Sequence, residues 1–329
     1  MKRISMILAA FALLTLGMVG CDRNDDTTDN PTNPTNPTNP TNPTDPTDPT
    51  NPTDPTDPQN PATIGFDENG ASSAVFTVAE GRTVRFSRGN LQYQASTGTW
   101  RFAEHQYDRI GEDNANLGEH YSGWIDLFGY GTSGWNSGCL AYQPWSRYDS
   151  YGRYFYSSLT GVYANADWGV YNAISNGGNQ AGMWRTLTKD EWDYLLFTRN
   201  GSTYGMIEDV RFLKATVGGV NGLIVFPDSF TMPSGMLFLG INNTSIEYRS
   251  NIYTTQQWSQ IEGNGAIFLP ATGSRVGTEV FHVDDDGCYW SSTIGGSNIY
   301  AYGMWFSFDR VSVGNDDIYS GNSVRLVRD

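Results

Sequence analysis

Every third residue from Pro31 to Pro61 is proline, eleven in all, spaced by pairs such as Thr-Asn and Thr-Asp. Proline fixes φ and lacks a backbone donor, so this stretch can enter neither a helix nor an inner strand. It is expected to run as an extended polyproline II stalk, roughly 95 Å long at ~3.1 Å per residue. The stalk divides the chain. Composition shifts sharply after Ala62. The remainder, 62–329, is long enough to bury a substantial core, as one large domain or two small ones, and is taken as a single unit. Within it, N-terminal strands extend to 106 and a compositionally distinct C-terminal region begins at 287.

Before the stalk, Lys2 and Arg3 precede an apolar run from Ile4 to Val19 that ends at Gly20-Cys21. A basic start, a short apolar stretch and small residues make a secretory signal over 1–20. Leu16-Gly17-Met18-Val19-Gly20-Cys21 resembles a bacterial lipobox, which implies cleavage before Cys21 and a lipid on its thiol. Asp22, Asp25 and Asp26 then resemble the surface-export signal of Bacteroidetes lipoproteins. The expected location is the outer membrane, facing the exterior, with 21–61 as lipidated cysteine and stalk.

The net charge is −15, and −17 once Lys2 and Arg3 are removed. Such a chain does not attract phosphate backbones, so no nucleic acid is expected as a partner. The expected partners are the membrane, through the lipid, and a protein or glycan on another cell, a phage or a host. Cys139 and Cys288 remain for the domain; an exported protein permits a disulfide, and two buried free thiols are the alternative.

Period-two patterning marks strands at Val75–Val78, Thr83–Ser87, Leu91–Gln94 and Trp100–Ala103, expected to form an antiparallel meander. A loop-rich part dense in Gly, Tyr and Trp follows from Tyr107 to Gly182. Lys189–Arg199 reads as a helix: Thr188 and Glu191 make a capping box, and Trp192, Leu195 and Leu196 share one face. A second helix is expected over Thr255–Glu262, capped by Thr254 with Gln257, burying Trp258 and Ile261. Arg211–Val217 and Leu223–Phe226 read as strands joined at Gly218-Gly219, and Ala266–Leu269 as the opening of a C-terminal sheet. Two helices among many short antiparallel strands argue an α+β fold.

The tail has its own palette. From Thr293 to Ser323, 19 of 31 residues are Gly, Ser, Asn, Asp or Tyr. Antibody combining sites use this set: Tyr gives contact area at low entropy cost, and the small polar residues adapt. A polar surface hairpin is the plainer reading of the same composition. Tyr302, Met304, Phe306 and Phe308 alternate with Gly303, Trp305, Ser307 and Asp309, and Val324 and Leu326 repeat the pattern. The expectation is two core strands carrying a polar loop.

Four phrases carry a family resemblance: Trp184 to Trp192 (WRTLTKDEW), Gly265 to Ala271 (GAIFLPA), Tyr289 to Ser292 (YWSS) and Ser323 to Val327 (SVRLV). In this order they resemble Bacteroidetes surface lipoproteins with the C-type lectin fold, in its formylglycine-generating-enzyme-like branch. The resemblance covers roughly Val84 to Asp329. It implies a C-type lectin-like fold with short antiparallel strands, two helices and long loops. It further implies that the C-terminal segment resembles the variable region of a diversity-generating retroelement, rewritten at adenines and displayed as a binding surface. Adenine-directed change acts most on Asn codons and leads to Tyr, Ser, Asp, Gly, Thr or Ile. The run 293–323 holds no Lys, Glu or Gln; Met304 and Trp305 are then fixed. The positions implied as variable and exposed are Asn298, Tyr300, Tyr302, Ser307, Asp309, Asn315, Asp316, Asp317, Tyr319 and Asn322. Alternation places Tyr302 with the core set instead.

No enzyme chemistry is expected. Cys288 has no neighbouring cysteine, His105, His120 and His282 share no motif, and no Gly-x-Ser-x-Gly, His-Glu-x-x-His or P-loop occurs. No cofactor is expected. Asp284-Asp285-Asp286 offers hard oxygens that suit calcium, and a solvated turn is the alternative. A fixed-specificity glycan binder or adhesin subunit of the same fold is the rival reading, with Trp124 and Trp145 as stacking rings.

Overall fold

The computed structural model describes residues 65–135, 157–297 and 299–329. Among them the architecture is α+β, built from small, mostly antiparallel sheets and few helices. Cys21, the stalk, Cys139 and Trp145 lie outside the described residues.

The chain opens with two hairpins, β1 (Phe76–Ala79) with β2 (Arg82–Phe86), and β3 (Leu91–Gln94) with β4 (Thr99–Phe102). These are the four expected strands, but they are not a meander. The far edge of β2 is taken by the last strand of the chain. After the helical turn α1 (Trp168–Tyr171), β5 (Arg185–Thr186) leads into α2 (Lys189–Asp193), which continues as one wide π turn to Thr198. The Thr188–Glu191 capping box forms in both directions, and Trp192, Leu195 and Leu196 are fully buried. Burying three such side chains contributes about 5–8 kcal/mol, so this face, more than helix propensity, holds the short helix.

β6 (Ser202–Tyr204) and β7 (Ile207–Val210) form a small hairpin, and β8 (Phe212–Val217) and β9 (Val220–Val225) a longer one around Gly218-Gly219. β10 (Ile252–Tyr253) adds to β8 in parallel, and α3 (Thr255–Gly263) follows with its own capping box from Thr254 and Gln257. β11 (Ile267–Pro270) returns to pair with β9. The Ala266–Leu269 stretch therefore completes this four-stranded sheet instead of opening the C-terminal one. β12 (Ser274–Val276) and β13 (Glu279–Phe281) make a two-stranded ribbon. β14 (Gly287–Ile294), β15 (Tyr300–Phe306) and β16 (Val311–Asp317) then form a separate antiparallel sheet in that order. β17 (Leu326–Arg328) closes the fold between β2 and β5.

The four phrases meet in space. Arg325 is fully buried; its guanidinium donates to Asn90 Oδ1 (3.3 Å) and Gln106 Oε1 (2.5 Å). Asn90 donates to the Tyr289 hydroxyl, which donates to the Pro270 carbonyl. Gln106 in turn donates to Glu262 and the Ala266 carbonyl, and accepts from the Phe268 amide. The Trp192 indole donates to the Trp290 carbonyl, and the Ser292 amide to the Leu187 carbonyl. The phrases thus build a buried polar frame that joins the β8–β9 sheet, the β14 sheet and the closing strand. Burial without a contacting carboxylate lowers the Arg325 pKa to about 10.

Two aspartates are buried without a salt bridge among the described residues. Asp167 accepts from the amides of Gly169 and Thr186, tying α1 to β5. Asp126 accepts from Asn114 and the Ile110 amide, organising the 110–127 loop. Burial pushes both up to about 6.

Candidate functional site

The β14–β15–β16 sheet has a buried end and an open end, and its register says why. In an antiparallel pair, residues directly opposite share a face, and every second residue returns to it. Phe306 opposes Val311, and Met304 opposes Val313; Tyr302 opposes Asn315, and Tyr300 opposes Asp317. All eight side chains lie on one face. α2 packs across the three strands on this side, and Met304, Phe306 and Val311 join Trp192 in the core, with Val313 packed against them. Beyond them, Tyr302, Tyr300 and Asp317 are half-buried and Asn315 is exposed. The opposite face holds Trp290 and Ala301 against Ile318 and Val324. The backbone under the open end is therefore backed by core on its other face and continues into strands packed on both faces at the buried end.

Two glycines make the close packing possible. Gly287 opposes Phe306, and a Cβ there would come within 2.0 Å of the Phe306 ring. A Cβ on Gly303 would come 2.7 Å from the Tyr289 carbonyl oxygen. Neither position accepts a side chain without moving a strand.

Of the ten positions expected on the surface, four frame this open end: Tyr300, Tyr302, Asn315 and Asp317. Tyr319 joins them, donating from its hydroxyl to Asp317 Oδ2 (2.5 Å), and this bond pushes the phenol pKa up to about 12. Asp316 points to the other face, where it accepts from Asn322 Nδ2 (2.9 Å), and burial raises its pKa. Asp309 is exposed, at the β15–β16 turn, away from the open end. Asn298 lies outside the described residues. Two positions are not on the surface at all. Asn322 is 1 % exposed, because its backbone bridges to Phe128 and its side-chain Nδ2 donates to Asp316. Ser307 is 5 % exposed, because its carbonyl is tied down by Lys214 and its hydroxyl by Asp309.

The tail differs from expectation in two further ways. Val311–Asp317 is a strand, not a loop: pairing with β15 overrides the low strand propensity of Gly314, Asn315, Asp316 and Asp317. Phe308, expected in the core, is 68 % exposed because β15 ends at Phe306 and the chain turns there.

Sequence reasoning missed two neighbours. Beyond the leader the chain has only two lysines, Lys189 and Lys214, and both touch this sheet. Lys189, at the start of α2, holds its ammonium 5.5 Å from the Tyr302 ring centroid while bonded to Asp193 (2.5 Å). Lys214, on β8 and fully buried, donates to the carbonyls of Thr244 (2.8 Å), Ser307 (2.9 Å) and Phe308 (2.8 Å). It pins the β15–β16 turn to the neighbouring sheet, and burial lowers its pKa to about 8. Their scarcity was the signal available in the sequence.

Three further candidates lie among the described residues. Cys288 is a buried free thiol, pushed well above its ordinary pKa by burial and by Asp316. The Asp284 carboxylate is engaged by Arg109 (2.9 Å) and by the Asn221 amide, and among the described residues no three His, Cys, Asp or Glu side chains gather as a metal-holding group. The Arg101 guanidinium lies 3.7 Å over the Trp124 ring, covering one of the proposed sugar-stacking faces.

Comparison with known families, curated proteins and solved structures returns no match to this chain.

Proposed function

We propose that this is a surface-displayed ligand-binding protein, held to the outer membrane by lipid on Cys21 and lifted by the proline stalk. Its scaffold is C-type lectin-like, and its C-terminal region, 287–329, is a diversified binding surface. One observation carries the reading. Tyr300, Tyr302, Asn315 and Asp317 stand together at the open end of a sheet backed there by core on its other face and packed on both faces at its buried end. Side chains there can change without changing the fold, which is what a diversified surface requires. The pairing of the first strands with the last, the two capped helices and the long intervening loops support the lectin-like scaffold. The reading assigns no covalent chemistry to this face. The test lies in the flanking DNA: a near-repeat of the gene's 3′ end, differing almost only at adenines and lying beside a reverse-transcriptase gene, is expected. Flanks with no such repeat would move the reading to a binder of fixed specificity.

A further inference from the structure

The open end of the sheet already holds one cation. Lys189 stands over the Tyr302 ring with its ammonium shared between that ring and Asp193. Ring faces carry negative potential, so an ammonium or guanidinium above them is attracted, the more so when a carboxylate is at hand. Next to Tyr302 the ring-and-carboxylate pattern repeats, and among the described residues no lysine or arginine is recorded over the Tyr300 ring. Tyr300 opposes Asp317 across the strand pair, and Tyr319 leans on the same carboxylate. Asp317 is half-buried, and Asp190 stands 94 % exposed at the rim, on α2. The sheet's own arginine, Arg310, sits at the other end, over Trp305. The charge of the whole chain, −15, has the same sign.

We propose that the open end receives an arginine or lysine side chain from the surface of a partner protein, seated among Tyr300, Tyr302 and Asp317 as Lys189 is seated on Tyr302. This rests on the reading of that end as a binding surface and adds the chemistry of what it binds. A guanidinium is favoured by both parts of the seat: its flat face covers a tyrosine ring while its edge donates to the carboxylate. A neutral sugar would stack on the rings and donate hydrogen bonds, but it gains no Coulomb attraction from Asp317, Asp190 and Asp193. Lys189 is then an internal competitor, and removing it opens the Tyr302 ring to the partner.

The test pans a library of random dodecapeptides on the whole chain and rebinds the retained peptides to variants. Arginine and lysine are expected at twice their library frequency or more. Binding is expected to fall about tenfold in Tyr302→Ser and in Asp317→Asn, and to rise in Lys189→Gln. Arg249→Gln, the same change of charge at an exposed pair with Glu247, is expected to leave it unaltered. Peptides that need Tyr302 and Asp317 but show no excess of basic residues would overturn this inference and leave the binding surface standing. Peptides indifferent to both substitutions, or a library that yields none, would overturn both. Equal gains in Lys189→Gln and Arg249→Gln would reduce the effect to bulk charge and overturn the seat.

Discussion

Replacing Lys214 by methionine probes how the display sheet is held. The side chain stays unbranched, is one atom shorter, and loses three donated bonds, to the carbonyls of Thr244, Ser307 and Phe308. Bonds from a charged donor contribute about 1.5–3 kcal/mol each, so the gross loss is about 5–8 kcal/mol. Against this stands the cost of burying the ammonium. Lowering its pKa from 10.5 to about 8 corresponds to roughly 3 kcal/mol. The Phe308 carbonyl belongs to an exposed residue and can recover water. The net expectation is a loss of about 3 kcal/mol in urea denaturation, with faster amide exchange confined to 306–311 and 243–245. The pH dependence carries a sign. The folded pKa lies below the unfolded one, so the unfolded chain binds more protons between pH 8 and 10.5, and stability rises with pH across that window. The margin of the parent chain over Lys214→Met should therefore widen from pH 8 to 10.5. An unchanged or increased stability of the variant at pH 7 would refute the clamp, as would a margin that narrows with rising pH.

Two further predictions concern the scaffold. Asp126 and Asp167, both raised to about 6 by burial, hold protons more tightly folded than unfolded, so stability should fall as pH rises from 4 to 6. The ceiling is about 3 kcal/mol each, read as a Tm several degrees higher at pH 5 than at pH 7.5; a Tm that climbs toward neutrality would contradict it. Gly287→Ala should destabilise by about 1–3 kcal/mol through overpacking against Phe306, whereas Gly296→Ala, which meets nothing within 4 Å, should be nearly neutral; paired urea titrations decide.

Local chemistry was legible and long-range pairing was not. Both helices announced themselves through Thr-x-x-Glu and Thr-x-x-Gln boxes, because a cap is satisfied within one turn. Alternation places the four N-terminal strands, and β1 pairs with β2 and β3 with β4 as a meander requires, but β2 does not pair with β3. Alternation fixes a strand's faces and says nothing of which edge it meets, so the pairing of β2 with β17 stayed hidden. The same blindness put Ala266–Leu269 in the wrong sheet. In the tail, Gly314, Asn315, Asp316 and Asp317 read as loop because their intrinsic preferences are those of turns. Registration against β15 decides otherwise, and that register alone separates Asn315 and Asp317 from Asp316. Ser307 and Asn322 differ from expectation for a related reason: each is a polar residue whose partner, Asp309 or Asp316, lies close by in space and lets it be buried.

The measurement that bears most directly on the central claim is the amino-acid sequence of 287–329 across sister isolates. The account predicts substitutions concentrated at Tyr300, Tyr302, Asn315, Asp317 and Tyr319. It predicts none at Gly287, Gly303, Met304, Phe306, Asn322 or Arg325, all of them buried. A C-terminal region identical in all isolates, or one whose changes fall on the buried positions as often as on the open end, would contradict it.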